Sequence, residues 1–449
     1  LKKGTNTKKD TGMVFAVTLA SIIGCILFEI SLFYGFLIAI TFSYNLFRQR
    51  GFSSISLLSM MKFGLWDCRM LYVLILLIGA TMSIWLSSGT VPAMIYYGLN
   101  YMQGVNFLFA AFVITSIISV FMGTAVGTIS TIGLALLGIG KGFEIPPHIL
   151  LGTIISGAYI ADKVSPISGL LNLTLTTTNT TYRNTTKRMM VTFIPIYIIS
   201  AMFYYILGMG YDATVDSSNL YMFQQAIKEG FYISPYLLLL PMIVLVLSFS
   251  GVDTIRAISA GLIGGIIVSF SLQGMDIVGI IKAIFLGYKG TTPTAELNEI
   301  LISGGIVSMI EVILIVMGAI ALSSLFEGTG IIKPVIDSVM SNVKTKGNLI
   351  FKTGMISGML TVITCDQTVG IVIPGRRLKD KYHELDVDNT LLARTISDTG
   401  TIIAPLMPWN VNGLIIFIIT GITVLHSAPY AVLCYISPIV TFIVSRFIR

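Results

Sequence analysis

The sequence predicts an all-α, polytopic membrane protein built as two inverted repeats, with broken or re-entrant helices near the bilayer midplane. Three observations carry that expectation. The chain is 55% hydrophobic and only 11% charged, with a mean hydropathy of +0.88, whereas a soluble domain has about a quarter of its residues charged. Apolar runs approaching the roughly 20 residues of one bilayer crossing recur along its 449 residues. Some of those runs are interrupted by charged and polar residues beside Pro and Gly. Charge at lipid depth is costly, so such residues usually line an ion or substrate path, and broken helices free backbone groups there.

The length allows ten or more spans at roughly 20 residues each in one transmembrane domain, residues 1–449. Residues 1–208 are read as the first repeat with extra N-terminal spans, and residues 234–449 as the second, with the polar segment 209–233 between them. A basic stretch with Lys2, Lys3, Lys8 and Lys9 leads into an apolar run at 13–31 and reads as an uncleaved first span. Runs at 33–47 and 69–88 follow, then a Gly-broken run at 105–140 and runs at 149–172 and 189–208. The second half has runs at 234–250, 255–272, 302–323, 349–375, 389–407, 412–425 and 427–447. Lys and Arg cluster before the first span, at 48–69 and at 183–188. Positive loops stay inside, so the chain is expected in the plasma membrane, multi-pass, with a cytosolic N-terminus. Cytosolic loops at 48–69 and 178–188 then require 105–140 to go in and come back as a hairpin.

The halves share a pattern. Gly79-Ala80 with Gly89-Thr90 recurs as Gly318-Ala319 with Gly328-Thr329, an offset of 239 (318 − 79). That offset sets Gly127 opposite Asp366 and Asp162 opposite Thr401. By the loop charges the two spans run in opposite directions, as in inverted-repeat transporters.

Composition excludes several classes. The net charge of +7 reflects basic cytosolic loops rather than a nucleic-acid partner; the lipid bilayer is the partner. Cys25, Cys68, Cys365 and Cys434 have no disulfide or metal-ligand spacing. No phosphate-binding Gly loop, zinc motif or nucleophile triad appears, so an enzyme is not expected and no cofactor is implied.

Three polar breaks carry the candidate site. Asp162 and Lys163 precede Ser165-Pro166-Ile-Ser168, which stops the helix and supplies hydroxyls. An interfacial pair, with Lys163 snorkelling to water, is the plainer alternative. Asp366, Gln367 and Thr368 lie inside the 349–375 run. They are hard oxygen donors of the kind that suits alkali cations, although Asp366 could equally cap a helix. Arg394 and Asp398 are four apart and share a face if helical, as a substrate-binding or structural ion pair. Thr401, Pro405, Pro408 and Asn410 follow in a stretch that bars a regular helix. Asp366 and Asp398 are the candidate Na⁺ ligands. Glu311 is a further acidic residue within a span.

These breaks resemble those of the NhaC-type Na⁺/H⁺ antiporter family, within the wider ion-transporter superfamily. The matching pieces are Ser88-Gly-Thr-Val-Pro92, Gly157-Ala-Tyr-Ile-Ala-Asp162-Lys163-Val-Ser165-Pro166-Ile-Ser168, Cys365-Asp366-Gln367 with Pro374-Gly375-Arg376, and Ser397-Asp398-Thr-Gly-Thr401 through Pro408-Trp409-Asn410, over roughly residues 70–415. The resemblance implies a secondary antiporter working by alternating access, with Na⁺ and H⁺ as coupling ions. A carboxylate that binds either ion, with its affinity for H⁺ raised by burial, would couple them. The resemblance also implies an alternative, Na⁺- or H⁺-coupled movement of a small carboxylate or amino acid; some relatives exchange malate for lactate. One departure stands out. After the Pro the family pattern continues Ser-Asp-Thr-Thr-Asn, where this chain reads Ser168-Gly169-Leu170-Leu171-Asn172. Asp162, Ser165, Ser168 and Asn172 remain, while one carboxylate and two hydroxyls are missing, which favours the organic-substrate alternative. A homo-oligomer is compatible with the sequence.

Overall fold

The computed structural model describes residues 8–102, 104–211, 217–290, 292–294, 297–298 and 301–446. The described residues are helical apart from loops and one isolated bridge between Lys289 and Ile302. Helices α1 (Lys8–Leu27), α2 (Leu32–Gln49), α3 (Ser54–Asp67), α4 (Arg69–Ser87) and α5 (Thr90–Tyr101) come first. They lead into α6 (Phe107–Met122), α7 (Ala125–Gly142), α8 (Pro147–Ala158), α9 (Gly169–Thr178) and α10 (Tyr182–Gly208). A peripheral group follows: α11 (Ser217–Gly230), α12 (Leu239–Phe249), α13 (Thr254–Ser271) and α14 (Ile277–Leu286). The chain closes with α15 (Gly305–Thr329), α16 (Lys333–Met340), α17 (Lys346–Thr364), α18 (Gln367–Arg377), α19 (Lys379–Glu384), α20 (Asn389–Ile396), α21 (Val411–Thr420) and α22 (Val432–Ser445).

Among the described residues, six helices are long and apolar enough to cross a membrane, or up to nine if each sharply bent pair counts as one span. This is fewer than the ten or more that length allows, because breaks divide several apolar runs into half-length helices. The outer surface is apolar: Val191, Ile194, Ile198, Met202 and Ile206 of α10 are all exposed, as helices facing lipid tails are. The interior is one large hydrophobic core with two small clusters beside it, around Ile84 and Leu171, and it also encloses Lys163 and Arg394.

The breaks are made by capping chemistry. α6 stops at Gly123, which has φ +66°, and Thr124 then caps α7 by accepting from the Gly127 amide. α17 stops at Cys365, φ +62°, and the Asp366 carboxylate accepts from the Thr368 amide to start α18. Ser168 caps α9 and Asn410 caps α21 in the same way. Ser, Thr, Asp and Asn satisfy amides that a helix start leaves free, and a left-handed residue ends the helix before them. Left-handed residues recur at a near-constant spacing. Gly89 and Gly330 are 241 apart (330 − 89), while Gly123 and Cys365, Glu144 and Asp386, and Asn179 and Gly421 are each 242 apart (365 − 123). The capping pairs Thr124 with Asp366 and Ser168 with Asn410 keep the same 242. These reversals recur at 242, three residues more than the 239 of the Gly-Ala pairs (242 − 239), and that spacing sets Thr124 against Asp366, Asp162 against Ala404 and Ser156 against Asp398.

Two loop expectations also change. Residues 54–67 form α3 rather than a loop, packed on α15 where Gly64 meets Ser324 and Gly328 meets Met60. Residues 217–230 form α11, bent by 88° from the following Pro235–Leu247 helix. The 105–140 run turns back at Gly123, and its end returns to its start, where Gly140 faces Phe107 and the Phe107 and Phe143 rings lie 5.2 Å apart, while α7 also packs on α5 with Gly142 against Leu99. A second hairpin lies in the second half, where Ser357 of α17 donates to the Gly370 carbonyl of α18 at 2.7 Å.

Gly123→Ala tests the break. A Cβ there meets Ile167 at 2.5 Å, and a left-handed alanine alone costs about 1–2 kcal/mol. The variant should unfold at lower temperature in detergent; an unchanged melting temperature would show that this reversal does not hold the fold.

Candidate functional site

The Asp398 carboxylate is partnered from several segments of the chain. It sits in a π-helical turn, Ser397–Thr401, that continues α20 and widens the helix at this point. Gly400 allows the turn to lie flat on α17, since a Cβ there would overlap Ser357 Oγ. Asp398 is fully buried, and Lys163 Nζ lies 2.6 Å from its Oδ1, itself fully buried. Oδ2 accepts from Thr192 Oγ1 of α10 at 2.7 Å and from Thr441 Oγ1 of α22 at 2.6 Å. Lys163 also donates to Ser437 Oγ at 3.2 Å and lies 5.7 Å from the centre of the Phe193 ring, a cation–π distance. Four segments distant in sequence thus converge on one ion pair. Burying two charges is costly unless the remaining valences are satisfied, and here hydroxyls on both sides do so.

Arg394 contributes less than its spacing suggests. Its Nε is 4.0 Å from Asp398 Oδ2, and Nε and Nη2 have no hydrogen-bond partner. Lys163, 235 residues away in sequence (398 − 163), is the near partner.

Asp162 points away from its neighbour Lys163. It accepts from Ser168 Oγ at 3.4 Å and from the Ala125 amide at the start of α7. Its carboxylate therefore lies at the positive end of a helix, where negative charge is stabilised. The interfacial reading of this pair is corrected: Asp162 is 5% exposed and Lys163 0%, so neither reaches bulk water. Ser165 Oγ donates to the Val120 carbonyl at 2.5 Å, near the end of α6. Asn172 is more exposed, donating to the Pro166 carbonyl at 3.3 Å. Space around Gly169 is open.

Asp366 caps α18 at 2.8 Å and lies within electrostatic reach of Cys68. No hydrogen bond or ion pair joins it to Asp398 in the described structure. Gln367 is buried with Oε1 unpartnered, and the Thr368 amide is the one that Asp366 accepts from. Thr401 Oγ1 donates to the Ile396 carbonyl at 3.5 Å, Asn410 Nδ2 to the Thr361 carbonyl at 3.4 Å. Among the described residues there is no group of three or more His, Cys, Asp and Glu able to hold a metal ion. Carboxylate and hydroxyl oxygens around Asp398 could hold a monovalent cation, with Thr192 and Thr441 turning their lone pairs inward. Sequence reasoning missed both threonines and Ser437; each is a lone hydroxyl on an apolar helix, and the weak signal was that polarity alone.

A cavity of about 1180 Å³ opens between α4, α7, α15 and α21. Glu29, Lys141, Glu311 and His426 lie in its wall, and Pro408 and Gly413 bring it next to Asn410. Asp162, Asp366 and Asp398 are not in its wall.

Residues 157–447 match the model of the Na⁺/H⁺ antiporter family. The chain is 30% identical over 374 residues to the Na⁺/H⁺ antiporter NhaC of Bacillus subtilis, covering 83% of each chain. It is 29% identical to the malate-2H⁺/Na⁺-lactate antiporter of the same organism, covering 81% of this chain and 78% of that one. It is also 29% identical to the arginine/ornithine antiporter ArcD of Halobacterium salinarum, covering 85% and 78%.

Lys163→Met leaves Asp398 buried opposite a distant guanidinium and should cost about 3–5 kcal/mol. Adding Asp398→Asn removes the stranded charge and should recover most of that loss in thermal or urea unfolding. A double variant no more stable than Lys163→Met would show that the two side chains are not energetically coupled.

Proposed function

The chain belongs to the Na⁺/H⁺ antiporter family, and we propose that it exchanges Na⁺ for H⁺ across the plasma membrane at the Asp398 cluster. The observation that carries this reading is a single buried carboxylate claimed by one ammonium and two hydroxyls. Na⁺ and the Lys163 ammonium have the same charge and compete for the same oxygens. When Na⁺ occupies the place between Asp398, Thr192 and Thr441, Lys163 is displaced toward Ser437 and Phe193. For exchange, Na⁺ binding at Asp398 releases a proton from the displaced Lys163 ammonium, and when Na⁺ leaves a proton returns and the ion pair re-forms. One cation at a time is the condition for exchange. Asp162, Ser165, Ser168, Asn172, Asp366, Gln367, Thr368, Thr401 and Asn410 form the surrounding breaks, where capped half-helices aim their amides at lipid depth.

The two halves are read as inverted repeats within 1–208 and 234–449, the repeating parts beginning at α4 and α15. The 242-residue recurrence of reversals supports this. So does the antiparallel packing of α4 on α15, where Ser83 Oγ meets Ser303 Oγ at 2.7 Å and Gly79 meets Met309. The Lys/Arg-rich ends at 48–69, 183–188, 344–352 and 376–381 are assigned to the cytosol with the N-terminus.

A second reading is coupled movement of a small carboxylate or amino acid. The cavity, far larger than a cation needs, and the named activities of two relatives favour it.

Purified protein in liposomes separates the readings. Na⁺ alone should dissipate an imposed ΔpH, and Asp398→Asn should abolish this. Thr192→Val and Thr441→Val should each raise the Na⁺ concentration for half-maximal exchange about tenfold, one hydrogen bond to a charged group. Exchange that proceeds only with a hydroxy acid or amino acid present would select the second reading. Full exchange by Asp398→Asn would remove the site assignment from both.

A further inference from the structure

Asp398 stands between two buried cations. Lys163 is its close partner at 2.6 Å, and Arg394, 2% exposed, has Nε 4.0 Å from Oδ2. One carboxylate cannot neutralise both, and excess charge at lipid depth is costly. The neighbouring charges do not correct the balance. Asp162 is turned to the start of α7, and the exposed Asp388 lies within electrostatic reach of Arg188. Arg188, exposed on α10, is itself a further positive charge within reach of Arg394.

The donors of Arg394 are free in a specific way. Nε and Nη2 have no hydrogen-bond partner, and these two nitrogens form one edge of the planar guanidinium, with their N–H bonds side by side. The Asp398 oxygen at 4.0 Å cannot serve them. Oδ2 already accepts from Thr192 and Thr441, which fills its two lone pairs. Tyr382, also within electrostatic reach, donates to Thr353 Oγ1 at 3.1 Å. Three residues on from Arg394, the fully buried Ser397 hydroxyl is unpartnered as well. Buried polar groups are nearly always bonded, so a corner rich in donors and poor in acceptors is matched by an anion.

We infer that Arg394 and Ser397 anchor the carboxylate of a small organic acid or amino acid, beside the cation held by Asp398. The inference rests on the second reading above and names the residues that hold the acid group. A carboxylate presents two oxygens to the Nε–Nη2 edge and takes both N–H bonds at once, whereas a halide offers a single atom. The Ser397 hydroxyl donates the third bond. Lys163 is not the anchor, because its ammonium is engaged by Asp398 and Ser437. The bound acid cancels the excess positive charge, so anion and cation occupy adjoining places on one short segment, residues 394–398.

Calorimetric titration of the purified full-length protein in detergent and sodium methanesulfonate tests this. Lactate, malate, glutamate and arginine are the probes, with chloride as the control. At least one of the acids should bind. Arg394→Gln should weaken its binding about a hundredfold, the loss of two hydrogen bonds to a charged group, and Ser397→Ala about tenfold, the loss of one. Arg394→Lys keeps the charge without the fork and should still lose about tenfold. The Arg394→Lys and Ser397→Ala titrations decide the matter if Arg394→Gln does not fold. No binding by any of the four acids would overturn the inference. Binding of an acid that none of the three variants weakens would overturn it too, while leaving the organic-substrate reading in place with the acid held elsewhere. Chloride bound as tightly as the acids, and as sensitive to Arg394, would also overturn it, since the site would then read charge alone.

Discussion

One carboxylate held at lipid depth by a lysine from the other half of the chain organises the rest of this structure. Asp398 and Lys163 are both fully buried, and an unpaired charge there would be far more costly than a typical hydrogen bond gains. The pair persists because Thr192, Thr441 and Ser437 complete its hydrogen bonding. That requirement fixes where α10 and α22 lie, and it ties residue 163 of one half to residue 398 of the other. On the proposed reading the same balance leaves the pair exchangeable, since one positive charge sustains it and a monovalent cation would supply that charge.

The broken helices make such a site affordable at depth. Each break exposes backbone groups that lipid cannot satisfy, and each is closed locally. Trp409 Nε1 donates to the Val362 carbonyl at 2.8 Å, and Ser165 Oγ donates to the carbonyl of Val120, 242 residues before Val362 (362 − 120). The Val411 amide donates to the Cys365 carbonyl at 3.0 Å. The interruptions are therefore finished structural units whose spare amides point inward, not loose ends.

Much of this is legible in the sequence, and the reasons differ by residue. Apolar runs and scarce charge give the all-helical membrane class directly. Asp162, Asp366 and Asp398 stand out because charge in such runs is rare, and Pro166, Gly400 and Pro408 mark broken stretches because they disfavour regular helix. Helix α3 was hidden because Lys62 and Arg69 made its segment look like a cytosolic loop. The Lys163–Asp398 pair was hidden because its members share no local spacing; the four-residue step from Arg394 to Asp398 offered a nearer but weaker partner. Thr192 and Thr441 look like any threonine on a lipid-facing helix until the fold turns them toward one oxygen. The Gly-Ala pairs suggest a 239-residue spacing and the backbone reversals 242, because Gly-Ala pairs are common, whereas left-handed residues such as Cys365 and Glu144 show only as dihedral angles.

The most direct measurement is an experimental density map of the protein with Tl⁺, a heavy stand-in for a monovalent alkali cation, compared with one lacking it. The account predicts a Tl⁺ peak coordinated by Asp398, Thr192 and Thr441, with Lys163 Nζ withdrawn from its 2.6 Å contact. A peak elsewhere, with the Lys163–Asp398 pair unchanged, would contradict it.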